Sequence, residues 1–229
     1  MRLLILFLVF FASSASANCV VLLHGLGRTA ASMAAIEISL MREGYQVVNR
    51  SYPSTDLSIE ELAEQSLPLA VARCETEPVH FVTHSLGGIL LRHWIGSAPS
   101  IEIGRVVMMG PPNQGSEIVD ELAEVPGFEW ANGPAGLQLG TSPTGFVAQL
   151  PSVNFELGVI AGTVSPNPYY SHLIPGLDDG KVSVDSTRVE GMADHITLPV
   201  THTFMMVSRG VIMQIKHFLQ NGEFEEEKE

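Results

Sequence analysis

The sequence is poor in basic residues and in charge altogether. Twelve lysines and arginines stand against 25 aspartates and glutamates, and charged residues make up only 16% of the chain. A formal net charge of −13 excludes nucleic acid and anionic membrane surfaces as partners, since the chain repels both. Low charge combined with 45% hydrophobic residues excludes a disordered ground state. No apolar run is long enough to span a bilayer. Cysteine is scarce, with only Cys19 and Cys74, and no His/Cys cluster has the spacing of a zinc site, so no metal or other cofactor is expected. Internal repeats and low-complexity domains are missing too, and 229 residues suit one sizeable core.

The longest apolar run that is present, LLILFLVFF after Met1 and Arg2, leads into the small residues ASSASA. That order reads as a secretory signal over residues 1–17, cut before Asn18. The expected product is a secreted or periplasmic domain over 18–229 with no stable membrane insertion. Removal of Arg2 leaves it with 11 basic residues against 25 acidic ones. In an exported chain the two cysteines are a candidate disulfide, the alternative being two buried thiols. Cys19 directly precedes VVLLHG and Cys74 lies just before VHFVTH, so the pair can bridge if those runs are adjacent parallel strands. The acidic tail EFEEEKE reads as a solvated end.

Short apolar or β-branched runs at 20–23, 46–50, 79–83, 105–109 and 157–161 largely lack polar alternation, as strands covered on both faces do. Helix-like stretches lie between them. Residues 29–43 end at Gly44, 58–73 open on Ser58 and Glu61 spaced as a capping box, a third helix follows Ser85, and a last one runs over about 208–220 before Gly222. The alternation predicts an α/β fold with a mainly parallel sheet and helices on both faces. Residues 111–151 are rich in Gly, Pro, Asn and Ser, and are expected to form an insertion over the sheet's carboxyl edge, where α/β proteins place ligands.

The chemistry concentrates at Thr83-His84-Ser85-Leu86-Gly87-Gly88. A serine at a strand-to-helix corner is thrown outward, and small neighbours let strand and helix approach. The following helix then aims its amino end at the serine oxygen, with the Leu86 amide as the nearest donor to a developing oxyanion. On these residues the chain resembles the α/β-hydrolase family, in particular its bacterial lipase and esterase branch, although Thr83 stands where the Gly-x-Ser-x-Gly elbow has its first glycine.

Several further roles follow from that resemblance. His24-Gly25-Leu26-Gly27 matches the family's oxyanion loop and maps the second amide to Leu26, His24 itself being read as structural. Chain order in the fold is serine, acid, histidine. The resemblance places the base at His202, in the loop before the last helix, with His195 as the competitor in a stretch, ADHITLP, that can also be a loop. His217 falls inside the last helix. A turn similar to the family's Asn-Asp-Gly-x-Val makes Asp179 the acid, with Asp178 as an aid to the turn and Asp185 and Asp194 as alternatives.

The resemblance therefore implies an exported serine esterase or lipase. Its expected partner is a small-molecule or lipid ester with a neutral acyl chain. A thioesterase, lipid deacylase or acyltransferase would use the same triad, and a binding protein of the same fold would lack turnover. Pro111–Ser116 is expected to line the pocket, and Phe128, Trp130 and Phe146 are candidates for an acyl pocket or a cover, or for ordinary packing beneath a long loop.

Overall fold

A computed structural model describes residues 18–225, so the leader segment and the last acidic residues lie outside the described part. Six parallel strands form one sheet: β1 (Cys19–Leu23), β2 (Gln46–Asn49), β3 (Val79–His84), β4 (Ile103–Met109), β5 (Leu157–Gly162) and β6 (Asp194–Leu198), in the spatial order β2-β1-β3-β4-β5-β6. The four central strands bury most of their residues on both faces, as their continuous apolar runs require.

Alternate residues of those strands feed two cores. Val21, Leu23, Phe81, Val106 and Val159 point into one, together with α2 (Ile59–Val71) and α3 (Leu86–Gly96). Val20, Leu22, Val82, Val107 and Ile160 point into the other, together with α1 (Ala34–Arg42) and α7 (Arg209–Asn221). The period-2 pleat thus sorts one sequence run into two apolar layers.

Helix ends follow local chemistry. Ser58 accepts from the Glu61 amide while the Glu61 carboxylate accepts from the Ser58 amide, closing the capping box before α2. Gly44 and Gly222 take φ of 89° and 82° where α1 and α7 stop. Cys19 and Cys74 form a disulfide, and the strands it anchors are neighbours: Cys19 lies opposite Val79 in the β1–β3 ladder.

Two stretches are more regular than their composition suggests. The ADHITLP stretch is not a loop, because residues 194–198 are the edge strand β6, paired in register with β5 from Gly158–Asp194 to Gly162–Leu198. Its half-exposed residues hid it among the fully apolar runs. The 111–151 segment is not irregular throughout either: it carries α4 (Glu117–Leu122), α5 (Phe128–Leu137) and a 3-10 turn, Val147–Gln149. Short α6 (Pro168–Leu173) follows β5.

The strand order reverses between β1 and β3, because the chain first runs outward to β2 and then returns across β1 to β3 and beyond. In an open parallel sheet the loops leaving the two strands at such a reversal part to opposite faces and open a crevice at the carboxyl edge. Those loops begin at His24 and Ser85.

Candidate active site

At the end of β3 the backbone turns sharply on Ser85, whose φ of 52° and ψ of −122° are rare for a residue with a Cβ. The Ser85 amide donates to the Met109 carbonyl at 2.9 Å, and the Ser85 carbonyl accepts from the Gly88 amide at 2.9 Å, which pins the corner from both sides. Close packing explains the glycines behind it. A Cβ on Gly87 would lie 2.7 Å from the Leu23 carbonyl oxygen, so only glycine lets α3 start against the end of β1. Gly88 does the same for Thr83, whose hydroxyl would be 3.2 Å from such a Cβ. Thr83 is fully buried, and the glycine on α3 leaves the space it needs.

Asp179 and His202 meet 23 residues apart in sequence, the first in the loop after β5 and the second between β6 and α7. His202 Nδ1 donates to Asp179 Oδ2 at 2.7 Å. The carboxylate is 1% exposed, and its other oxygen accepts from the Lys181 and Val182 amides at 3.0 and 2.9 Å. An aspartate carboxylate whose other oxygen is already met by two amides serves here as an acceptor, which places the proton of this bond on His202 Nδ1 and leaves Nε2 open to accept. The backbone repeats the link: the His202 amide donates to the Asp179 carbonyl at 2.9 Å. Asp178 is a turn aid, as expected, though buried rather than solvated, with Oδ1 accepting from the Gly180 amide at 2.7 Å.

Ser85, His202 and His84 line one cavity of about 230 Å³. His84 was missed by sequence reasoning, although its place beside the serine was the available signal. Its Nε2–H donates to the His202 carbonyl at 3.0 Å, tying the end of β3 to the His202 loop. Burial first, then the charges of His202 and Arg28, hold the His84 pKa well below its ordinary value. Its ring is therefore neutral, with one nitrogen donating to the carbonyl and the other left as an acceptor.

On the other side of the crevice Leu26 lines the cavity, while the Gly27 amide next to it is already donated to Ser54 Oγ at 3.0 Å. Leu86 occupies the first turn of α3, directly after Ser85. His24 is buried and stacked on Tyr52 with 3.9 Å between ring centroids, and its Nε2 accepts from the Tyr52 amide at 3.2 Å. It shapes the loop from behind.

The alternatives sit elsewhere. His195 lies on β6 with Nε2 against Thr187 Oγ1 at 2.9 Å, and burial, reinforced by Arg188, brings its pKa down to about 4. Asp194 accepts from the His195 and Phe224 amides, which ties down the segment after α7. Asp185 is exposed, and its carboxylate lies 3.9 Å from Arg188. His217 is on α7, bonded to the Glu223 carbonyl.

Pro112 and Ser116 line the cavity, and Asn113 accepts from the buried Arg92 guanidinium of α3. Of the aromatic candidates, Phe128 lines the cavity, Phe146 packs on His93 at 5.4 Å, and Trp130 is 90% exposed on the outer side of α5.

With this geometry in place, the model of the alpha/beta hydrolase family matches residues 20–207. No curated protein matches the chain by sequence. Among solved structures, the chain is similar to the Bacillus licheniformis lipase BlEst2 in its mature form, at 16% identity and a TM-score of 0.68 over 91% of this chain and 93% of that one. It is also similar to phospholipase PlaB from Legionella pneumophila, at 16% identity and a TM-score of 0.67, covering 91% of this chain and 60% of that one. A Listeria innocua protein, the lin2722 product, aligns at 16% identity with a TM-score of 0.59 over 93% of this chain and 96% of its own.

Proposed function

The chain belongs to the α/β-hydrolase family, and from that premise we propose that it is an exported serine hydrolase that cleaves carboxylic esters through Ser85, His202 and Asp179. One observation carries the reading: a buried 2.7 Å bond from His202 Nδ1 to Asp179, with His202 and a strained elbow serine opening onto the same cavity. Structural stability does not call for a positive φ at Ser85, whereas a nucleophile that must project from a tight corner does.

In the proposed reaction Ser85 Oγ attacks the ester carbonyl carbon and passes its proton to His202 Nε2. The carbonyl oxygen takes up the negative charge and is met by the Leu26 and Leu86 amides, the second strengthened by the amino end of α3. Each such donor is worth about 3 kcal/mol of transition-state stabilisation in enzymes of this kind. His202 then protonates the departing alcohol as the ester C–O bond breaks; in the second half water attacks the acyl carbon while His202 Nε2 takes its proton, and the bond to Ser85 Oγ breaks as Nε2 returns that proton to the serine, freeing the acid. Asp179 keeps the imidazole in the tautomer that presents Nε2.

The disulfide supports export, since such bonds persist in oxidising compartments. Residues 1–17 would be the removed signal, and 18–229 one domain with residues 111–151 inserted over the site. The lipase and phospholipase names of the similar structures agree with ester chemistry. The test is labelling of the mature protein by a fluorophosphonate probe with Ser85→Ala as control, followed by hydrolysis of an ester chain-length series. Absence of Ser85-dependent labelling and of turnover would overturn the reading in favour of a binding protein.

A further inference from the structure

The cavity beside Ser85 is lined by two unlike groups of residues. Ile118, Val119 and Leu122 of α4, Phe128 of α5 and Leu139 make one of them apolar. The other carries Arg28, just past the oxyanion loop, and Lys181, two residues after Asp179. No carboxylate lines the cavity among the described residues. That is unusual in a chain with 25 acidic and 12 basic residues, where a random patch would be acidic.

These cations are not held by salt bridges. The ion pairs among the described residues involve Arg105, Arg188, His202 and Lys216, and none involves Arg28 or Lys181. Lys181 Nζ lies 4.9 Å over the Tyr170 ring, a contact that leaves its hydrogen-bond donors free. The Arg28 side chain has no hydrogen-bond acceptor among the described residues, and its charge is felt at both His84 and Lys181. Asp179, the nearest carboxylate in sequence to Lys181, is already engaged by His202 and two amides. Asp179 acts on Lys181 ahead of Arg28, but it forms no ion pair with the lysine, so the two like charges still repel across one space and an anion between them relieves that repulsion.

We propose that the substrate is an amphiphilic anionic ester, with an apolar acyl group against the α4–α5 residues and a phosphate or carboxylate on its alcohol portion between Arg28 and Lys181. This rests on the ester-hydrolase reading and adds the charge of the alcohol to it. Arg28 offers a planar fork suited to two anionic oxygens, and Lys181 a single charge in the same cavity.

The experiment compares two soluble esters with the same acyl group, 1-butyrylglycerol 3-phosphate and 1-butyrylglycerol, by titrating the released acid. The phosphorylated ester is expected to have the higher kcat/KM by about tenfold, falling with added salt. In Arg28→Gln and Lys181→Met the ratio between the two esters should drop towards one. A phosphatidate presented in mixed micelles distinguishes a lipid source from a soluble one, and a preference for either anionic form supports the proposal. Equal or faster hydrolysis of the neutral ester overturns it, as does a ratio untouched by both substitutions. So does a preference for an anion carried on the acyl side, as in the p-nitrophenyl monoester of glutaric acid against p-nitrophenyl pentanoate. Failure of the hydrolase reading itself is told apart by calorimetry on the Ser85→Ala protein. Hexyl phosphate should still bind more tightly than hexanol if the cations form an anion site, and equal binding refutes that site whether or not the protein turns over esters.

Discussion

Replacing Gly110 with alanine places a methyl group against the link between His202 and Asp179. Gly110 follows β4 with φ of 52°, and a Cβ there would lie 3.0 Å from both Asp179 Oδ2 and His202 Nδ1, the two atoms that share the 2.7 Å hydrogen bond. Ordinary contact would require several tenths of an ångström more on each side. The backbone cannot swing away, because the Gly110 amide donates to the Ile160 carbonyl at 2.9 Å and the preceding Met109 carbonyl accepts from Ser85. Two costs follow. The left-handed conformation alone costs about 1–2 kcal/mol for a residue with a Cβ. The steric push tilts the imidazole or lengthens its bond to the carboxylate, and misplacement of a catalytic group on this scale lowers kcat by on the order of ten- to a hundredfold.

Gly44→Ala separates the two effects. Gly44 has φ of 89° at the end of α1, and a Cβ there meets nothing within 4 Å. It should show the backbone cost in urea unfolding, about 1–2 kcal/mol, with kcat unchanged within about twofold. Gly110→Ala should show a similar or larger loss of stability together with the loss of kcat. If Gly110→Ala matches Gly44→Ala in stability and keeps wild-type kcat, the Asp179–His202 bond is not part of the catalytic machinery.

Ser85→Ala and His202→Ala should each abolish ester hydrolysis, whereas His195→Ala should keep most of it and lose stability through Thr187; kcat/KM and urea midpoints of the three variants read both effects. Asp179→Asn should fold and lose several orders of magnitude in rate, because an amide no longer selects the His202 tautomer, and near-normal kinetics would move the acid elsewhere. Reducing the disulfide, which spans 55 residues, should lower stability by about 4 kcal/mol on the loop-entropy model, measured as the shift of the unfolding midpoint with and without reductant. Stability should fall as pH drops below about 6.5, since His24, His80, His84 and His195 all have pKa values lowered mainly by burial and stay neutral in the fold. The unfolded chain takes up those protons first. For His195 the contribution is complete above the unfolded value near 6.5 and is lost by about pH 4. Urea unfolding flat between pH 7 and pH 5 would contradict this.

Much of the fold was legible because its signals are local. The buried strands announce themselves by unbroken apolar runs, the capping box by Ser58 and Glu61, and the elbow by six consecutive residues. What escaped were elements whose stability comes from partners far along the chain. β6 reads DHITL, and only its ladder with β5 makes it a strand. α5 reads FEWANGPAGL, with Gly133 at φ 65° and a proline after it, so by propensity it is a poor helix. It is tolerated because Gly133 passes so close to the backbone of Thr55 that any Cβ would collide with it, and because the Gln138 side chain accepts from the Ile59 amide at 2.7 Å. Trp130 was open to three readings by its chemistry alone, acyl pocket, cover or packing, and its exposed place on that helix could not be read without knowing which face of α5 packs inward.

The candidate site divides in the same way, and the division has a physical origin. Ser85 is specified by residues on either side of it, whereas Asp179 and His202 came from chain order and a resemblance. Their precision is set by bonds no local pattern encodes: the His202 amide to the Asp179 carbonyl, His84 Nε2 to the His202 carbonyl, and the Ser85 amide to the Met109 carbonyl. These join the ends of β3, β4, β5 and β6 with a main-chain group in every bond and one side chain, His84, in a single one, so the relative placement of serine, histidine and aspartate depends strongly on the register of the sheet. A one-residue slip of β5 against β4 would turn Ile160 from one core to the other and move the start of the Asp179 loop by a residue's length, about 3.3 Å, enough to part the 2.7 Å bond. Because both faces of the sheet are packed, such a slip exchanges two apolar cores at once, and the burial that stabilises the fold is also what fixes the spacing of the site.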